Sequence, residues 1–350
     1  MRFRPSAAAA LALAAAACGK TSEPEPQLSF AAVAGMTCAD GSATGIGLSR
    51  GSSEVLVFLN GGGACWDACH CEASPGPFGP AELALGQAEL LAGSILDRNL
   101  AGNPFAGFTM VFVPYCTGDV HAGDAVQSYA ASGTCPAAGT WRHRGHRNLQ
   151  AVLAWIDANL PRPTRVVVAG SSAGGFGSLL AYDLVRSRWP AGSSPAVSAS
   201  LLDDSGPTFE PSAANTGLPP ELVTTWWDAW GLTSTVSPVC PGCENDLSQI
   251  WDVLSARYPG DRLALLSNTQ DATIRGFFGG MTGLDFEGAL DTLAVKLESL
   301  PAGNARTFRV AGTAHALLVS PATYRAGSTP LLGWLDPVAA GTGAFFSAGP

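Results

Sequence analysis

Residues 165–177 read RVVVAGSSAGGFG, and this stretch decides the fold. Three consecutive valines, flanked by Pro163 and Gly170, predict a short strand covered on both faces. Gly170-Ser171-Ser172-Ala173-Gly174 follows at once and matches G-x-S-x-G. Ala173–Trp189 then carries Leu179, Leu180, Leu184 and Val185 at helical spacing. Strand, pentapeptide and helix in that order are the setting of a nucleophile elbow. The sharp turn brings backbone atoms together at the flanking glycines and lifts the Ser172 oxygen to the sheet's edge. The helix N-terminus behind it offers unpaired N–H groups and a positive dipole end to a developing anion.

Working outward, further apolar runs predict strands at Val55–Leu59, Thr109–Pro114, Ala196–Leu202, Arg262–Leu266 and Thr307–Val310. Helical patterns lie between them at Ala81–Leu100, His146–Leu160 and Asp285–Leu300. Alternation of this kind predicts an α/β fold with a doubly wound, mostly parallel sheet. An insert at about 206–260 is too long for a plain loop and contains Trp226, Trp227, Trp230 and Trp251. It is expected to form a small cap over the sheet's C-terminal edge, its tryptophans serving either as substrate wall or as ordinary core.

Serine chemistry needs a base, and histidine titrates near working pH. Of five histidines (His70, His121, His143, His146, His315) only His315 follows Ser172, in the order Ser, acid, His that α/β-hydrolases use. Asp271, in the loop after the Arg262–Leu266 strand, is the expected acid. Asp203 and Asp204, ending the strand before, are the runners-up and are expected to cap or line the floor of the site. Asn60-Gly61-Gly62-Gly63 follows a strand and suits the second half of an oxyanion hole, where glycines let amides point inward. No Lys-Ser/Thr pair follows, which argues against a phosphate-binding loop. The segment after the Thr109–Pro114 strand is expected on the same edge, with Asp119 and His121 suited to contact substrate or brace loops and a metal at Asp119, His121 and Asp124 as the less favoured reading.

The net charge of −9 and the absence of a basic stripe argue against nucleic acid as a partner. Arg2 and Arg4 precede an apolar run, Ala7–Ala17, too short to span a bilayer. We expect a signal peptide at 1–17 of the lipoprotein type with Cys18 lipidated, a tether at 18–30 and a catalytic domain at 31–350. Such a chain is exported, either membrane-anchored through the lipid or secreted, and expected to be monomeric. Without Cys18, eight of the nine cysteines remain, an even number that favours disulfides in an exported protein. Cys240–Cys243 and Cys116–Cys135 are the expected pairs. Metal binding at Cys65, Cys69, His70 and Cys71 is the less favoured reading.

Taken together, residues 58–65 (FLNGGGAC), 115–119 (YCTGD) and 170–175 (GSSAGG), the Gln270-Asp271 loop and His315 resemble the pectinacetylesterase/Notum family of carboxylesterases. The resemblance spans roughly Val55 to His315. It implies an α/β-hydrolase fold, no cofactor, a triad of Ser172, Asp271 and His315, and an oxyanion hole from the amides of Gly63, Ala64 and Ala173. Ala64 stands where plant-like members have Trp, and Asn60 replaces their usual acidic residue. The expected activity is ester hydrolysis on an acetylated polysaccharide such as pectin. The alternatives are a deacylase of longer acyl esters, as in Notum, and a non-catalytic glycan-binding surface lipoprotein.

Overall fold

The computed structural model describes residues 28–72, 76–131, 135, 139–190, 192–214 and 216–350. The expected signal peptide, Cys18 and most of the tether lie outside the described residues. The first strand begins at Ser29, inside the end of the expected tether.

In chain order the longer strands are β1 (Ser29–Thr37), β2 (Ala43–Ser49), β3 (Glu54–Leu59), β4 (Thr109–Val113), β5 (Ala125–Tyr129), β6 (Gly139–His143), β7 (Arg165–Ser171), β8 (Ser198–Asp204), β9 (Arg262–Asn268) and β10 (Ala305–Val310), and a two-residue pair, Arg325–Ala326 with Thr329–Pro330, stands apart. Eight of them form one sheet in the order β1-β2-β4-β3-β7-β8-β9-β10, while β5 and β6 pair as a separate hairpin. From β4 to β10 the sheet is parallel, and β1 and β2 add an antiparallel edge. The chain winds from β3 to β4 in one direction, then returns to β7 and winds the other way to β10. The C-terminal ends of β3 and β7 therefore flank a switch point, where α/β sheets open a crevice for ligands.

The helices are α1 (Ala68–Glu72), α2 (Pro80–Leu91), α3 (Gly145–Asn159), α4 (Ala173–Leu180), α5 (Tyr182–Arg188), α6 (Pro220–Trp230), α7 (Gln249–Arg257), α8 (Ala272–Phe277), α9 (Gly283–Ser299) and α10 (Leu331–Ala340). Strand residues alternate between two cores. Val57, Val166, Val168, Leu201 and Leu265 pack with α3, α4, α7 and α9. Leu56, Val167, Leu202 and Leu266 pack with α2 and α10 on the opposite face. Both faces are dry, which is why these strands read as unbroken apolar runs.

Several boundaries differ from expectation. The helix expected over Ala81–Leu100 ends at Leu91, and the following Gly93 takes a left-handed φ of 78°. The one expected over Ala173–Trp189 breaks at Ala181 into α4 and α5. The 206–260 insert holds α6 and α7. Its Trp230 and Trp251 are fully buried core, whereas Trp226 faces a cavity described below.

Four disulfides are formed: Cys38–Cys116, Cys65–Cys71, Cys69–Cys135 and Cys240–Cys243. The expected Cys240–Cys243 bridge is present, but Cys116 does not pair with Cys135. The sheet decides this. β2 lies beside β4, so the turn after β1 meets the segment after β4, and Ala39 N donates to Cys116 O at 2.8 Å next to the bridge. Cys65, Cys69 and Cys71, the thiols of the metal reading, are all consumed in bridges. Bridges in this number suit an oxidising, extracytoplasmic compartment. Among the described residues no helix is long and apolar enough to cross a membrane.

Candidate active site

Ser172 sits between β7 and α4 with φ 61° and ψ −123°. A non-glycine residue in that region costs roughly 1–3 kcal/mol and persists only where the surroundings impose it. Here they do. A Cβ on Gly174 would lie 1.9 Å from Leu59 O, and one on Gly170 would lie 2.1 Å from Gly174 O. The pentapeptide's glycines are therefore steric requirements of the turn. Ser172 N donates to Asp204 O at 2.8 Å, which ties the elbow to β8.

Ser172 and Ala173 share a cavity with Gly63 and Ala64, so the sequence-predicted nucleophile and oxyanion-hole residues converge. Its remaining wall is apolar: Val120, Phe176, Trp226, Ile274, Phe277 and Phe278. The cavity measures about 20 Å³, little more than one water-sized group requires. Apart from Trp226, the sequence analysis did not single out these wall residues. Phe176 comes four residues after the serine, and Ile274, Phe277 and Phe278 come from the segment straight after Asp271, so proximity to the motifs was the available signal.

The glycine loop is braced from behind. His121 Nε2 lies 2.8 Å from Asn60 O. A carbonyl only accepts, so Nε2 carries the proton. Burial pushes the His121 value down and keeps the ring neutral. Val120 and His121 both have left-handed φ, 47° and 59°, and Val120 N donates to the Tyr115 hydroxyl at 2.9 Å. Buried Asp119 accepts from Thr117 Oγ1 at 2.6 Å and Gly145 N at 2.7 Å. Asp124 pairs with Arg144 and Arg147, each at 2.5 Å. All three residues of that alternative metal set are thus engaged in bracing loops.

Asp271 and His315 meet: Asp271 Oδ2 is 2.8 Å from His315 Nδ1. The carboxylate accepts there, so Nδ1 carries the proton in the neutral ring and Nε2 is left basic. Asp271 Oδ1 caps α8, accepting from Thr273 N at 3.0 Å and Ile274 N at 3.1 Å. The loops after β9 and β10 are zipped together by Thr269 N to Val310 O, Gln270 N to Gly312 O and Ala272 N to Thr313 O. Parallel strands end side by side, so residues 44 positions apart become neighbours. Of the runners-up, Asp204 is occupied by other donors. Asp203 is buried, with the Gly206 backbone N–H beside its carboxyl.

This arrangement of elbow, glycine loop and acid–histidine pair has known counterparts. The pectinacetylesterase family profile matches residues 24–215, more than half of the chain. The chain belongs to the pectinacetylesterase family. That family of carboxylesterases includes Notum, and the curated relatives are of that branch. The chain is 32% identical over 184 residues to palmitoleoyl-protein carboxylesterase notum1 of Xenopus laevis, covering 49% of this chain and 34% of the relative. It is 32% identical over 176 residues to palmitoleoyl-protein carboxylesterase NOTUM of Homo sapiens, again 49% and 34%. The matches span about a third of the length of these relatives. Among solved structures, the Wnt deacylase Notum from Drosophila superposes with a TM-score of 0.62 at 21% identity, covering 88% of this chain and 91% of the other. At that identity the likeness establishes the α/β-hydrolase-like fold.

Proposed function

We propose that this pectinacetylesterase-family chain is a serine carboxylic-ester hydrolase acting through an acyl-enzyme. In this reading His315 Nε2 takes the proton of Ser172 as its oxygen attacks the ester carbonyl. Asp271 holds the ring in the required tautomer and stabilises the imidazolium. The amides of Gly63, Ala64 and Ala173 receive the oxyanion, and His315 then returns the proton to the leaving alcohol. Water activated by the same histidine releases the acid.

The observation that carries the substrate side is the cavity beside Ser172. Its narrow interior, about 20 Å³, and its apolar wall favour a small acyl group over a long chain. We therefore infer an acetyl ester, on a polysaccharide such as pectin, in preference to the longer acyl groups for which the Notum relatives are named. Each methylene that does not fit costs about 1–3 kcal/mol of transition-state binding. Hydrolysis of p-nitrophenyl esters should then fall steeply from acetate through butyrate to octanoate. A profile that rises with chain length would sink the acetyl reading. Ser172→Ala should remove nearly all turnover of p-nitrophenyl acetate while the circular dichroism spectrum is unchanged, and retained turnover would refute the serine mechanism. Export with a lipid on Cys18 belongs to the same proposal. Mass spectrometry of the mature N-terminus tests it, with an unmodified terminus as the contrary result.

A further inference from the structure

At the end of β8, Asp203 and Asp204 are both fully buried, and the mechanism above uses neither. Successive strand residues point to opposite faces, and the two carboxyls meet different surroundings. Asp203 goes beneath the first turn of α4, where a Cβ on Gly175 or Gly206 would lie 2.7 or 2.5 Å from its Oδ1. No side chain bonds either of its oxygens, and the Gly206 backbone N–H is the donor beside them. Asp204 goes the other way and gathers four donors. Ser171 Oγ is 2.7 Å and Ser205 Oγ 3.3 Å away, with Leu317 N at 2.8 Å and Leu318 N at 2.9 Å. Ser205 Oγ in turn accepts from Ala316 N at 3.2 Å. One carboxylate thus joins the residue before Ser172 to the three residues after His315.

Resting on the serine mechanism proposed above, we propose that Asp204 is the positioning residue that registers the His315 loop against the nucleophile elbow. Asp271 holds the imidazole by Nδ1 from one side. The Asp204 clasp holds the backbone just beyond it from the other. The loop needs the second hold, because Ala316 carries a left-handed φ of 63° and strained backbone persists only where it is over-determined. A base displaced by about 1 Å loses on the order of 100-fold in rate.

Charge separates the two carboxyls. Two adjacent buried acids do not both ionise. Burial raises both carboxyls, but only at Asp204 do four donors offset it, so the negative charge rests there. Burial and the Asp204 charge push Asp203 well above the usual carboxylate range, so it keeps its proton. Around Asp203, β7 and β9 present Gly170 and Leu265 and α4 presents Gly175, none of them titratable. Asp204 interacts electrostatically with His315 and with Tyr324, and Tyr324 also interacts with Asp271. An acid whose proton is bound more tightly in the folded state stabilises most fully below about pH 4, its unfolded value, and loses that contribution as pH rises toward the folded one. Asp203, equally buried but outside the clasp, is therefore the control.

The experiment compares Ser172→Ala, Asp204→Asn and Asp203→Asn on p-nitrophenyl acetate, with fluorophosphonate labelling of Ser172 in the two Asn variants. Asp204→Asn should lower kcat on the order of 100-fold with KM nearly unchanged, and slow labelling by a similar factor. Asp203→Asn should keep kcat and should raise the melting temperature by an increment that grows from about pH 4 to pH 8. If Asp204→Asn does not fold, Ser171→Ala and Ser205→Ala each remove one arm of the clasp and should each lower kcat about 2- to 10-fold at constant KM. Wild-type kcat and labelling in Asp204→Asn, or in both serine variants, with Ser172→Ala inactive, overturns the proposal alone. Equal loss in the two Asn variants also overturns it. Turnover in Ser172→Ala overturns the underlying mechanism.

Discussion

The elbow around Ser172 and the loop around His315 are held in place by opposite means. The elbow is local. Five consecutive residues and two close backbone approaches, 1.9 and 2.1 Å to a built Cβ, impose its shape. The histidine loop is assembled from partners far away in the chain, Asp271 at 44 positions and Asp204 at 113 and 114. Steric exclusion is all-or-nothing, whereas hydrogen bonds add in steps of about 0.5–1.5 kcal/mol. The nucleophile's placement should therefore fail abruptly on substitution and the base's placement gradually.

The largest expected effect is on the elbow. Gly174→Ala places a methyl group inside Leu59 O, and soluble, folded protein should be lost altogether. Normal yield and activity in that variant would break the contrast. Next comes Asp271→Asn, which keeps one acceptor oxygen but places an amide nitrogen among donors. Its kcat should drop by about 10³- to 10⁴-fold while the protein stays folded. Asp271→Ala should add the loss of the α8 cap, about 1 kcal/mol, which a thermal melt detects. His121→Gln should lower kcat by roughly tenfold, through the weakened hold on Asn60 and the glycine loop. That variant also sharpens a pH test. Burial depresses the His121 value, so its contribution to stability is full above about pH 6.5, the unfolded value, and is lost as pH falls. The wild-type melting temperature should decline on acidification from there, and His121→Gln should flatten part of that decline. The smallest effect is expected at the cavity wall. Trp226→Ala should raise the butyrate-to-acetate ratio of kcat/KM by about tenfold, read from the same ester series.

The central sheet was legible because strands buried on both faces leave apolar runs, and the strands at Val55, Thr109, Arg165, Arg262 and Thr307 appear within two residues of their expected starts. β1 and β2 were not legible. Alternating Ala, Gly, Ser and Thr with few large apolar residues, they form an edge whose pairing is decided by β4. The Ser172 turn could be read from five residues. The far wall of its cavity could not, since Val120 and Trp226 come from segments that only packing brings together.

Residue order alone determined the features on which the proposed chemistry rests: a serine on a turn that only glycines permit, one histidine downstream, and periodicities that demand a two-faced parallel sheet. Those signals are short-range, carried by the sterics and solvation of a few neighbouring residues. The tertiary structure decided which of three aspartates meets His315, which cysteines pair and which side chains line the cavity beside Ser172. Each of those depends on strand order and register, through which residues a hundred positions apart come within hydrogen-bonding distance.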